Sequence, residues 1–195
     1  MTYDRSSNIL QLGSYAPKIA DDAFIASTAV IIGDVEIGEK SNIWYHCVVR
    51  GDIHEIKIGR NTNIQDGSVV HVARGRFGTY IGDNVTVGHM ALIHACTLED
   101  SCMVGMHATV MDGVVVESDA LVAAGSLVTP GKRVPTGEMW GGLPARFIRK
   151  VNNSDVTMMK RIAPGYVELG GEYRDNGLDL RQLFPNGRAP KERSK

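Results

Sequence analysis

The 195-residue chain is poor in cysteine and aromatics and has no dominant charge. Its three cysteines, Cys47, Cys96 and Cys102, form no CxxC pair and no even-numbered framework. That excludes a disulfide scaffold and favours a reducing compartment. Aromatics are 6% of the residues, so any core must be built from aliphatics. Lys and Arg number 21 against 22 Asp and Glu, a net charge of −1. No cationic surplus is left for nucleic acid, and no acidic tract for a solvated tail. No apolar run approaches membrane-spanning length, and Met1–Tyr15 lacks the apolar segment of a secretory leader. A soluble, cytoplasmic protein without membrane partners is the expectation. The basic, Pro-containing stretch Arg188–Lys195 reads as a frayed terminus.

What the chain has is a repeat of six. Aliphatics recur at Ile19, Ile25, Ile31, Ile37, Ile43 and Val49, restart at Ile58, Ile64 and Val70, and restart again at Ile81, Val87 and Ile93. After one dropped residue come Leu98, Val104, Val110, Val116, Val122 and Val128. Four residues after the aliphatic sits a smaller side chain, such as Ala23, Ala29, Ser41, Cys47, Thr62, Ser68, Ala91, Cys102 or Ala108, with exceptions at Ile53 and Arg74 where the frame breaks. A helix cannot keep every sixth residue on one face, because six steps of 100° miss a full turn by about 120°. A coil of three flat faces, six residues each, accommodates both columns. The aliphatic fills the interior and the small residue occupies the tight corner. Cys47 and Cys102 therefore read as core thiols. Glycines 33, 38, 59, 82, 88 and 105 suit turns of unusual φ or close approach.

This hexapeptide pattern predicts an all-β solenoid, a parallel β-helix of about six coils. The frame breaks at Asp52–Lys57 and Arg74–Tyr80 are expected as loops thrown outward. Residues 15–135 form the repeat domain; 136–195 hold an irregular segment, a C-terminal helix and a tail. Ser154 is the expected cap, Val156, Met159, Ile162 and Tyr166 have helical spacing, and Pro164-Gly165 should kink or interrupt the helix. Its expected task is to cover the exposed last coil.

Stacking the coils at about 4.8 Å brings polar residues into columns. Arg50, His71 and His94 each follow the third aliphatic of successive coils and share one outer face. Asp66 and His89 lie two residues after the second aliphatic, on a different face, with Gln65 beside them. His71 and His94 can share a metal, but His89 joins them only from a neighbouring subunit. Subunits arranged head to tail about a three-fold axis achieve this and close into a ring. A homotrimer with metal sites at its interfaces follows. Asp66 and Arg50 suit either an interface ion pair or a catalytic role. His46, His54 and His107 lack such company and read as surface or turn residues.

The stretches IWYHCVVRGD (43–52), NIQDGSVVH (63–71), GDNVTVGHMALIH (82–94) and WGGLPARFIRK (140–150) resemble the γ-carbonic anhydrase family over about residues 15 to 150. The resemblance implies a left-handed helix of coils, although parallel crossovers are normally right-handed. It implies His71, His89 and His94 as ligands to Zn2+, with Fe2+ or Co2+ also suited to three imidazoles. It implies Arg50 and Asp52 at the subunit interface, the Gln65-Asp66 pair beside the metal, and Tyr166 from the terminal helix. The implied activity is reversible hydration of carbon dioxide to bicarbonate by a metal-bound hydroxide. Two departures bear on rate. Ile53 stands where family members carry an acid, and VARGRFG (72–78) has no carboxylate, so the usual proton-shuttling acids are missing and Glu55 is the nearest substitute. Two other functions use this fold: acyl-CoA-dependent acyl transfer, and a structural subunit of a larger assembly.

Overall fold

A computed structural model describes residues 8–183, and Arg188–Lys195 lies outside them. The chain is a left-handed parallel β-helix of about seven turns with a C-terminal helix. Each turn contributes one short strand to each of three faces. The first face carries Lys18–Ile19, Thr79–Ile81, Thr97–Leu98, Val115–Val116 and Arg133–Val134. The second carries Phe24–Ile25, Asn42–Ile43, Asn63–Ile64, Thr86–Val87, Met103–Val104, Leu121–Val122 and Glu138–Gly142. The third carries Ile9–Leu10, Val69–His71, Leu92–His94, Thr109–Val110 and Leu127–Val128. Val30–Ile37 and Val48–Ile58 turn a corner and serve both the third and first faces. The repeat runs further than the eighteen hexads predict: Ile9 pairs with Ile31 before them, and Val134 and Trp140 extend the ladder after them.

Packing follows the two sequence columns. Ile25, Ile31, Ile43, Val49, Ile64, Val70, Val87 and Ile93 are fully buried. The small corner residues are buried too, and their hydroxyls are satisfied across coils. Ser41 donates to the Gly59 carbonyl at 2.6 Å, and Thr62 to Gly82 at 2.7 Å. Of the six glycines, only Gly33 has positive φ, at 80°. Gly88 serves close stacking instead: a Cβ there would lie 2.6 Å from the Met106 nitrogen.

The first frame break is not a loop. Val48–Ile58 is one continuous strand, and the extra residues are absorbed where Gly33 pairs with Gly51 and Val35 with Ile56. Ile56 fills the core and Ile53 packs against it, so burial holds the insertion against the prism. The second break does leave the prism, in a turn closed by a bridge between Ala73 and Phe77.

Helix α1 spans Asn153–Asp175 and corrects three expectations. Its cap is Asn152, whose side chain accepts from the Ser154 and Asp155 amides while the Asp155 carboxylate reaches back to the Asn152 N–H. This reciprocal pair fixes the start two residues before Ser154. Pro164 does not interrupt the helix. Nor does α1 cover the last coil. That coil is closed by an antiparallel strand, Ala145–Lys150, folding onto Glu138–Gly142. Helix α1 instead runs back along the second face, touching its strands from Thr86–Val87 to Phe24–Ile25. The face is covered because Phe24, Trp44 and the ring of Tyr173 pack together, with Trp44 and Tyr173 centroids 5.2 Å apart. Small Ala163 and Gly170 let the helix approach. A short helix α2, Leu180–Leu183, ends at the first coil. No described helix is long and apolar enough to cross a membrane.

Candidate metal centre

The third face brings four predicted residues together. His71 and His94 pair directly in register on adjacent strands, and Arg50 lies one residue beyond the Val49–Val70 pair. His71 Nδ1 is 3.2 Å from His94 Nε2. The opposite nitrogen of each ring meets a carboxylate: His71 Nε2 lies 2.9 Å from Asp52, and His94 Nδ1 lies 2.6 Å from Asp112. Arg50 also pairs with Asp52. Burial pushes the Asp52 carboxyl up, but the His71 hydrogen bond and the Arg50 charge outweigh it and hold it below the usual range.

His89, Asp66, Gln65 and Tyr166 gather elsewhere, where the second face turns toward the third. His89 Nδ1 lies 3.0 Å from Asp66, whose other oxygen accepts the Tyr45 amide at 3.2 Å. Tyr166 is carried there by α1, with its hydroxyl 3.5 Å from His89 Nε2 and its ring edge-on to Trp44. Burial, followed by the Asp66 charge, pushes the Tyr166 phenol above its ordinary range, so it stays a neutral donor near pH 7. Gln65 is buried and donates to Asn63 Oδ1 at 2.9 Å, while Asn63 donates to Thr86 at 2.9 Å. This chain fixes the amide nitrogen of Gln65 and leaves its oxygen as a free acceptor.

The two groups do not meet within one chain. Among the described residues, no three His, Cys, Asp or Glu side chains of a single copy are placed to hold a metal ion. Glu55 does not join either group; Tyr80 donates to it at 2.9 Å and Lys57 pairs with it at 3.0 Å. His46 and His107 sit at corners with φ of 61° and 58°. Sequence reasoning missed Asp112, Asn63 and Thr79. Asp112 was not on the predicted column: Ile93 pairs with Val110, so the residue one coil past His94 is Met111, and Asp112 follows it at the corner. Thr79 was not reachable either, because it lies inside the second frame break; its buried hydroxyl donates to the His71 carbonyl and accepts the Ala95 amide at 3.0 Å.

The donor set suits a small divalent cation. Tetrahedral bonds of 2.0–2.1 Å to imidazole separate two ligand nitrogens by about 3.3 Å, and His71 and His94 present theirs 3.2 Å apart. Each of the three histidines has a carboxylate on its other nitrogen, the arrangement that fixes tautomer and raises ligand basicity.

Known relatives share the sequence over most of its length. A family model described as bacterial transferase hexapeptide (six repeats) matches residues 16–51. "Gamma carbonic anhydrase 2, mitochondrial" of Arabidopsis thaliana is 49% identical over 170 residues, 85% of this chain and 61% of its own length. "Probable carbonic anhydrase" of Methanocaldococcus jannaschii is 42% identical over 151 residues, 77% of this chain and 94% of its own.

The chain belongs to the γ-carbonic anhydrase family.

It spans about three fifths of the length of the Arabidopsis relative. Transferase names also occur on this scaffold. A Bacillus cereus X-ray structure provisionally named an acetyltransferase is 38% identical, with a TM-score of 0.84, covering 86% of this chain and 97% of its own. Membership in the γ-carbonic anhydrase family therefore fixes the scaffold, and the chemistry must be argued from the site.

Proposed function

We propose that the protein is a metal-dependent carbonic anhydrase acting as a homotrimer, with His71 and His94 of one subunit and His89 of the next holding Zn2+, or Fe2+ or Co2+. One observation carries the reading. If each neutral imidazole gives its single N–H to its carboxylate, the 3.2 Å contact between His71 Nδ1 and His94 Nε2 sets lone pair against lone pair. Such a contact is repulsive without a cation between the rings. The trimer is supported by the difference between faces. The first presents Lys18, Glu36, Lys57 and Arg133 to water, and the second is covered by α1. The third carries Val30, Val48, Val69, Leu92 and Leu127 outward and half-buried, with no helix over them among the described residues. A second copy's His89 edge laid there completes both the apolar cover and the ligand set.

When bound, the metal supplies Lewis acidity, which lowers the pKa of water from about 15.7 toward neutrality. The protein's own groups do the rest. Gln65 turns its free amide oxygen to accept a hydrogen bond from the attacking water and so orients it. Asp52 and Asp66 hold the histidines, and Arg50, 41% exposed, offers a positive charge for the departing bicarbonate. Tyr166 donates toward the His89 edge. The three unpaired, buried thiols suit a reducing compartment such as the cytoplasm.

Stopped-flow hydration of carbon dioxide by protein loaded with zinc, or with iron(II) anaerobically, tests the activity. Activity lost in His89→Ala supports it. A full metal site with no hydration in either state refutes the enzyme reading. Mixing His71→Ala with His89→Ala should restore part of the metal binding in hybrid trimers, and no restoration removes the shared site. The name of the Bacillus cereus neighbour favours a second reading, acyl transfer. Metal-independent acetyl transfer from acetyl-CoA would replace the first.

A further inference from the structure

His94 is held by a residue that no motif singled out. Its Nδ1 lies 2.6 Å from Asp112 Oδ1. An ionised carboxylate only accepts, so the nitrogen facing it carries the proton and the opposite nitrogen is left with a lone pair. That opposite nitrogen, Nε2, is the one turned to His71. Asp112 is itself pinned between coils. Its carbonyl accepts the Gly131 amide at 2.8 Å, and the next residue, Gly113, donates to the Ala95 carbonyl at 2.8 Å. Ala95 is the residue after His94, so the turn bearing the carboxylate is tied to the strand bearing the imidazole.

We infer that Asp112 is a positioning residue: it locks His94 in the Nδ1–H tautomer and thereby sets the affinity of the His71–His94 pair for a divalent metal. The affinity half of this rests on the metal reading above, and the tautomer half does not. A packing role does not account for the contact. The Asp112 side chain is 34% exposed and lies outside the hydrophobic core, and its side chain makes no other hydrogen bond or ion pair among the described residues. Asp52, by comparison, divides its carboxylate between His71 and Arg50. An asparagine at 112 is nearly isosteric, but its amide can turn a donor toward Nδ1. That would move the ring proton to Nε2 and block the ligating nitrogen, the wrong-tautomer fault known for buried Asp→Asn changes beside histidine.

The test uses the full chain, metal-free, as wild type, Asp112→Asn, Asp112→Ala and a control, Asp119→Asn, whose carboxylate sits at an exposed corner. Histidine 15N NMR reads the tautomer, chelator competition reads Zn2+ affinity, and thermal melting reads folding. Nδ1–H on His94 in wild type and control, lost in both Asp112 variants, with about 10–100-fold weaker zinc binding and unchanged melting, is the expected result. Wild-type His94 protonated on Nε2 overturns the inference whether or not zinc binds. So does unaltered zinc affinity in the Asp112 variants, or a loss of affinity that appears only with loss of the folded state. If wild type and His94→Ala take up zinc alike, the metal reading fails, and the tautomer spectra alone decide whether Asp112 positions the ring.

Discussion

The sharpest stability prediction concerns the segment that returns α1 to the first coil. Asp179 is 1% exposed and accepts the Ile25 amide at 3.0 Å and the Arg181 amide at 2.8 Å. Arg181 meets it through Nε and Nη2, both at 3.0 Å, and donates onward to the Ala20 carbonyl at 3.0 Å and the Ala23 carbonyl at 2.5 Å. Arg181→Ala leaves a buried carboxylate with backbone partners only, and removing one member of a buried pair costs about 3–5 kcal/mol. Asp179→Ala leaves the Ile25 N–H without an acceptor, about 1–3 kcal/mol, and strips the guanidinium of its counter-charge. Arg181 is 27% exposed, so solvent softens that second loss, and about 3 kcal/mol in all is expected. For a chain of this length 1 kcal/mol moves Tm by about 2–4 °C, so Arg181→Ala should melt roughly 6–20 °C lower and Asp179→Ala roughly 6–12 °C lower. The double variant should cost less than the sum of the two. The assay is urea unfolding at one fixed protein concentration, since subunit assembly shifts apparent stability, with amide exchange at Ile25 as the local probe. Faster exchange at Ile25 with unchanged exchange at Ile93 is expected, because the segment touches only the first coil. Strictly additive losses, or a loss below about 1 kcal/mol in Arg181→Ala, would refute the account of a coupled buried pair.

Four other outcomes follow from the same contacts. Gly51→Ala would put a Cβ 2.3 Å from the Asp34 carbonyl oxygen, so the backbone must shift; a loss of at least about 3 kcal/mol in urea, or failure to fold, is expected. Ile64→Ala empties a fully buried position and should cost about 2–5 kcal/mol by the same assay. Asp155 is held below the usual carboxylate range by its hydrogen bond from Arg149 and then by the Asn152 amide. Its contribution is therefore complete above the unfolded value of about 3.9 and lost as pH falls through the lower folded value. The stability gap between wild type and Asp155→Asn should be constant at neutral pH and close below about pH 4. Burial pushes the Cys47 thiol up to about 12 and raises Cys96 and Cys102 as well, so iodoacetamide at pH 8 should label none of the three until urea unfolds the chain.

The parallel coil was legible because its period is enforced by sterics at every turn. An inward aliphatic repeats eighteen times, fifteen of them followed four residues on by a small corner residue, and most of both columns is buried. What escaped was set by burial acting outside the repeat. Asp52–Lys57 reads as an insertion, yet Ile53 and Ile56 are apolar enough to keep it on the prism. Ser154 is an acceptable cap, but only Asn152 stands three residues before a carboxylate that can answer it. The direction of α1 was hidden because its partners, Phe24 and Trp44, lie far away in sequence, next to the repeat positions Ile25 and Ile43 but outside both columns. In the site, the histidine columns were readable from stacking alone, but the same column carried one coil further gives Met111, and Asp112 reaches His94 only from the corner that follows it. Thr79 lies inside the second frame break, Arg74–Tyr80, where stacking says nothing.

The split of the histidines between two faces has a physical consequence for how such a site arises. A ligand set completed within one chain can be occupied by any copy that folds. Here His71 and His94 sit at the margin of a bare apolar stripe, and His89 sits at the edge that α1 and Trp44 leave open. Burying the stripe and bringing in the third imidazole are then one event. Apolar cover supplies non-directional stabilisation, whereas the cation relieves a specific contact between two ring nitrogens 3.2 Å apart. The first can be satisfied in several registers. The second is satisfied in one, because only one offset of the neighbouring subunit lays an imidazole where those two lone pairs converge. On this reading the metal fixes the register of assembly as well as the chemistry, and a subunit lacking His89 should still associate, but less specifically.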